Sequence, residues 1–150
     1  MITELGRRRA IVLLALAGLF LSIYLFLYAL GFYGELACGA GGSCDLVQGS
    51  QWARFLGFPV AGWGVGWYAA VLAAAILGAT SSEGRGPAAL ARWVSPALAV
   101  MSTGGIVFSG YLTALELWVI HAFCRWCVAS AVITLAIFVL SLPEFSRLRR

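Results

Sequence analysis

Four long apolar runs constrain this chain more than any other feature. A helix needs about 20 apolar residues to cross hydrocarbon, where its own backbone must satisfy every N–H and C=O. Residues 10–30, 59–79, 94–117 and 122–142 each reach that length, and Pro59 suits a first helical position because its missing N–H would be orphaned there anyway. Of 150 residues, 62% are hydrophobic and 11% charged. A soluble domain carries roughly a quarter charged residues, so this chain cannot cover a water-facing surface as well as a core. A soluble enzyme, a disordered tail and a small secreted disulfide scaffold are thereby excluded. The expected fold is an all-α membrane protein. It is a single integral domain over 1–150, a four-transmembrane-helix bundle with an extracytoplasmic loop carrying a short helix.

The formal charge of +4 comes from arginine, mostly beside the apolar runs, and reads as an orientation signal rather than a nucleic-acid surface. Arg7, Arg8, Arg9, Arg85, Arg92, Arg147, Arg149 and Arg150 fall on one side, and only Arg54 and Arg125 on the other. Both termini and the linker SSEGRGPAALAR are therefore expected in the cytoplasm of a cell inner (plasma) membrane, with residues 31–58 outside. The first run is too long for a secretory signal, and ELAC places acidic Glu35 where a lipoprotein cleavage site needs an aliphatic residue. It is read as a retained span. Gly105 with Ser109, and Gly110 with Ala114, are four apart and let neighbouring helices approach the third span closely.

That topology gathers Cys38, Cys44, Cys124 and Cys127 on the outer side. An even count in an oxidising compartment implies disulfides, which four cysteines can pair in three ways. In HAFCRWC, three residues of helix bring Cys124 and Cys127 to one face, with Cys127 about 4.5 Å deeper at about 1.5 Å rise per residue. The helix N-terminus and Arg125 favour a thiolate there, while apolar burial opposes it. The other pair lies in CGAGGSC, a Gly-rich segment with little intrinsic order that can swing. A mobile couple accessible from solvent and a fixed couple at the membrane are arranged as a relay. Structural disulfides and a zinc site use the same residue types, although Cys-x5-Cys beside a membrane-boundary pair is poor zinc-ribbon spacing.

Nearby residues have bland and active readings. Ser50, ahead of QWARFLGFP, is expected to N-cap a short helix whose Trp52, Phe55 and Leu56 dip into the membrane surface and shield the bundle mouth. His121, three residues before Cys124, is either an interfacial anchor or a proton donor in thiol exchange. Glu116 is expected to pair with Arg125 or His121, or else to relay protons. Trp63, Trp67, Tyr68, Trp93, Tyr111 and Trp118 read as interfacial belts or packing, some of them candidates for a pocket.

The loop pair Cys38 and Cys44 after the first span, Ser50 six residues later, and CRWC opening the fourth span resemble the vitamin K epoxide reductase family. The likeness is to its bacterial homologues that form disulfide bonds, and it covers about residues 10–140. The disulfide oxidase DsbB is similar in chemistry, but there the two cysteine patterns come in the reverse order. The resemblance implies a membrane thiol:quinone oxidoreductase that reoxidises an extracytoplasmic thioredoxin-like (DsbA-type) partner. Cys38 would be attacked by the partner, Cys44 would exchange with Cys124, and Cys127 would face a quinone, ubiquinone or menaquinone. Ser50 would lie beside the quinone head group, and no metal or nucleic acid is involved. Because the sequence ends in EFSRLRR without a thioredoxin-like domain, a separate partner protein is expected. The family's animal enzymes also use an Asn in the second span and a Tyr after Cys-x-x-Cys; this chain contains no Asn, and Ala131 stands at the Tyr position. Disulfide formation is therefore favoured over epoxide reduction. The competing reading is a non-catalytic membrane scaffold or metal-handling protein with structural cysteines.

Overall fold

A computed structural model describes residues 3–39 and 43–149. Its elements in chain order are α1 (Glu4–Ala29), α2 (Cys44–Gln48), a 3-10 turn (Gln51–Ala53), strands β1 (Arg54–Phe55) and β2 (Phe58–Pro59), α3 (Val60–Ser82), α4 (Ala88–Leu115), a π-helical turn (Glu116–Ile120) and α5 (Arg125–Leu148). Four of the helices are long and apolar enough to cross a membrane, and the chain is a multi-pass membrane protein. They form a ring in which α1 packs most extensively on α3 and α4 on α5, closed by α3 on α4 and α1 on α5.

The helices overrun the expected spans at the end that holds the termini. α1 starts at Glu4 rather than residue 10 because Thr3 caps it, its hydroxyl accepting the Gly6 N–H, and Glu4 complements the helix dipole. Arg7 and Arg8 are thus helical residues, and Arg8 is buried. α5 continues through Pro143 to Leu148, beyond the expected boundary at 142. A proline removes one backbone bond without ending a membrane helix whose neighbours supply polar contacts, and here the continuation carries Glu144 into the bundle. The linker between α3 and α4 shrinks to five residues, 83–87, because its alanine-rich second half joins α4.

The core holds Ile11, Ala15, Tyr68, Val71, Ala75, Val94, Leu98 and Ile137, contributed by all four long helices. Close approach depends on glycine in two places. A Cβ on Gly18 of α1 would lie 2.2 Å from the Tyr68 ring of α3, and one on Gly105 of α4 would lie 2.2 Å from Trp67. Gly105 therefore plays its expected role, whereas a Cβ at Gly110 would meet open space. Tyr68 crosses the bundle past Gly18, and its hydroxyl lies 2.9 Å from Ser130 Oγ and 3.1 Å from Thr134 Oγ1 on α5.

At the end of the bundle that holds the termini, Glu144 is fully buried. It accepts from Arg7 at 2.6 Å, from Ser95 Oγ at 2.6 Å and from Arg8 at 3.5 Å. Arg8 also donates to Gly78 O at 2.8 Å and Ser82 Oγ at 3.0 Å, so one polar network ties α1, α3, α4 and α5 together.

Candidate functional site

The opposite end is organised around sulfur. The α1–α3 connection folds back over the bundle and is clamped by three polar groups. Tyr28 donates to Asp45 Oδ1 at 2.9 Å, the same oxygen accepts the Leu36 N–H at 3.4 Å, and Tyr24 accepts the Ala37 N–H at 3.1 Å. Cys38 and Cys44 are joined by a disulfide across 6.2 Å between Cα atoms. The swinging expected of CGAGGSC falls mostly on residues 40–42, which lie outside the described residues. Gly39 has φ +69°, a left-handed backbone that glycine adopts without strain, and a Cβ there would lie 3.1 Å from an Arg125 Nη1. Arg125 thus lies across the loop couple rather than reaching Glu116.

One backbone hydrogen bond brings the two couples together. Ser43 N–H donates to Phe123 O at 3.2 Å, and these residues immediately precede Cys44 and Cys124. Both of those cysteines are fully buried, in one cluster with Leu25, Leu36, Cys38, Val47 and Ala122; Trp126 and Cys127 pack against it. Cys124 is the N-cap of α5, and its sulfur accepts the Cys127 N–H at 3.4 Å. Cys124 and Cys127 are free thiols. Gln48, at the end of the short helix that begins with Cys44, donates its amide to the Cys127 sulfur at 3.3 Å.

Beneath this cluster lies a cavity of about 360 Å³, and Cys127 is the one cysteine on its wall. Phe55, Trp63, Trp67 and Phe108 line it, with Gly64 and Gly104 giving width and Ser50, Tyr68, Glu116, Ser130 and Thr134 supplying a few polar groups. Such a space, largely apolar with convergent polar atoms, suits a planar carbonyl-bearing ring of the quinone kind. Trp63 and Trp67 are therefore pocket residues as well as packing.

Ser50 stands on the cavity wall and occupies the expected N-cap position, ahead of a 3-10 turn, but its side chain does not cap that turn. α2 ends before it, and its hydroxyl donates to Val47 O at 2.7 Å, closing α2, while the 3-10 turn that follows takes no side-chain cap from it. A hydroxyl beside a helix C-terminus finds an orphaned carbonyl before it finds an amide. Trp52 and Phe55 line the cavity, and Leu56 projects outward from a two-residue hairpin turn with Gly57.

Glu116 also departs from its expected partners. Its carboxylate accepts the Cys124 N–H at 3.3 Å, and its carbonyl accepts the Ala122 N–H at 3.2 Å. The π turn widens the end of α4 and terminates at His121 in the left-handed region, φ 53°, which reverses the chain into CRWC. His121 is exposed.

Sequence reasoning passed over Asp45, Tyr24, Tyr28 and Gln48. Tyr24 and Tyr28 lie four apart in the C-terminal part of α1, on one helix face, which is the signal that was available. Gln48 carries no comparable signal, because its role depends on where α2 docks.

A helical membrane bundle with one sulfur couple over another, and the inner sulfur on an apolar cavity, defines the class of membrane thiol–disulfide oxidoreductases. Residues 9–142 match the profile of the vitamin K epoxide reductase family, and the chain belongs to that family. Its members are membrane oxidoreductases that use a quinone as electron acceptor or donor, and homologues act with thioredoxin-like partners.

Proposed function

We propose that this chain reoxidises an extracytoplasmic thioredoxin-like protein of the DsbA type and passes the electrons through its two cysteine pairs to ubiquinone or menaquinone, as DsbB does. The observation that supports this reading is the backbone bond between Ser43 and Phe123, which sets buried Cys44 beside buried Cys124 while Cys127 borders the cavity. Cys38 takes the partner's thiolate, because it keeps some exposure, 5%, where Cys44 is fully buried. Cys44, released by that attack, exchanges with Cys124. Cys127 is the sulfur presented to the cavity, where the Gln48 amide holds it in place. Ser50, with Tyr68 across the bundle, orients a ring among the aromatic walls. A bound quinone supplies an acceptor for two electrons and two protons. The chain contributes position and exclusion of water: two sulfurs three residues apart at a helix start, held under a clamped loop. The arginine distribution supports an orientation with both termini in the cytoplasm of the inner membrane and the cysteines outside.

The test uses purified protein in detergent, a reduced thioredoxin-like dithiol protein and a soluble short-chain ubiquinone. Quinone absorbance bleaches as the partner is oxidised, and Cys38→Ser stops this reaction while electrons still flow from a small dithiol. Refusal of the small dithiol as well would show that Cys38 is not merely the entry point. Stoichiometric zinc, or two disulfides that never cycle, would favour the static scaffold.

A further inference from the structure

Glu116 is 6% exposed, near the end of a membrane-crossing helix, on the cavity wall it shares with Cys127. Among the described residues no arginine or histidine forms an ion pair with it, and its side-chain partner is the backbone N–H of Cys124. The groups facing it from the neighbouring element are the two CRWC cysteines at the start of α5. A buried carboxyl without a counter-charge is costly in a low-dielectric span, and such residues mark sites where charge or protons move. The π turn that begins at Glu116 is the second observation. Inserted helical turns of this kind recur at functional sites, and this one, ending in the left-handed His121, reverses the chain so that the Cys124 N–H returns to the carboxylate at 3.3 Å.

Resting on the thiol–quinone reading above, we propose that Glu116 is the proton carrier of the reaction, moving protons between the CRWC dithiol and the cavity. The balance requires one. As Cys124 and Cys127 are oxidised, two S–H bonds break, one S–S bond forms, and two electrons and two protons pass to the quinone, whose two oxygens become hydroxyls. The cavity wall is largely apolar and offers few other groups that exchange protons, so a carboxylate that faces the dithiol on one side and the cavity on the other takes each proton in turn and releases it. In the reverse sense, the same group protonates the leaving sulfur when the CRWC disulfide is reduced.

Glu116→Gln separates this role from a structural one, because an amide oxygen still accepts the Cys124 N–H but carries no proton. In quinone-free protein, the rate at which a small dithiol reduces the CRWC disulfide is followed by alkylation and mass spectrometry, with the Cys38–Cys44 disulfide as internal control. Glu116→Gln is expected to slow reduction at CRWC by about 100-fold or more and to leave Cys38–Cys44 unchanged. With short-chain ubiquinone, kcat falls by a similar factor at unaltered KM for the quinone. Glu116→Asp, which keeps the carboxyl one methylene further back, restores part of both rates and carries the test if the Gln variant fails to assemble. CRWC rates equal to those of the unsubstituted protein would overturn the proton carrier. Unsubstituted protein that passes no electrons from a thioredoxin-like dithiol to quinone would instead overturn the reading on which it rests.

Discussion

Two glutamates lie inside the bundle near opposite ends and are held in opposite ways. Glu144 is fully enclosed by Arg7 and Arg8 of α1 and Ser95 of α4, so its charge is neutralised where it sits. Glu116 has the Cys124 backbone amide and the Cys127 thiol beside it, and borders the cavity. A carboxylate wrapped in guanidinium and hydroxyl donors has no capacity left for a reactant, whereas one with only neutral donors, one of them a reacting thiol, retains lone pairs for a proton. One end of the bundle is therefore built to stay closed, and the other to change its bonds.

The contrast can be broken most severely at the sulfur end. Cys127→Ser is expected to abolish quinone reduction while the protein stays assembled and Cys38–Cys44 still exchanges with a thioredoxin-like dithiol; retained quinone turnover would remove Cys127 from its place. At the other end, Glu144→Gln leaves Arg7 and Arg8 buried without a full counter-charge. Breaking such a pair costs about 3–5 kcal/mol. A large drop in the melting temperature in detergent is the expected result, with turnover per folded molecule retained. If turnover fell and melting did not, the two ends would have exchanged roles.

Between the ends, Gly105→Ala forces a methyl into the Trp67 ring. Overpacking of this kind costs about 1–3 kcal/mol, and because Trp67 lines the cavity, KM for quinone should rise along with the loss of stability. The smallest effect belongs to Glu83, paired with Arg9 and Arg85 at the rim. The Arg9 hydrogen bond holds its carboxyl below the usual carboxylate range. A depressed carboxyl stabilises the fold above its unfolded value and ceases to do so as pH falls through the folded one. Glu83→Gln should therefore melt slightly earlier than the unsubstituted protein at neutral pH, and the difference should vanish in acid; a larger difference in acid would reverse the sign.

Much of the architecture was legible because hydrocarbon leaves so few options: four apolar runs of sufficient length become four helices. The boundaries were less legible. Pro143 marked an end that the helix ignores, since neighbours in the bundle compensate for the missing amide, and Arg7 and Arg8 read as loop charges because nothing local announces a Glu 136 residues away from Arg8. The four cysteines were visible by spacing alone, and their gathering followed from counting spans. Gln48 and Asp45 were not visible, because each acts across a docking of the loop that periodicity does not encode. Glu116 was visible as a charge, but its partner was misassigned. Side-chain reach pointed to Arg125 or His121, whereas the chain reversal at His121 returns the Cys124 backbone amide to it.

The account stands on the two sulfur couples being able to trade a bond. The direct measurement is to trap it: in a Cys38→Ser, Cys127→Ser double variant, the remaining sulfurs of Cys44 and Cys124 have only one another nearby. Digestion and mass spectrometry of the alkylated protein should reveal a peptide in which the two are disulfide-linked within a single chain. Recovery of both as separately alkylated thiols under oxidising conditions would contradict the relay.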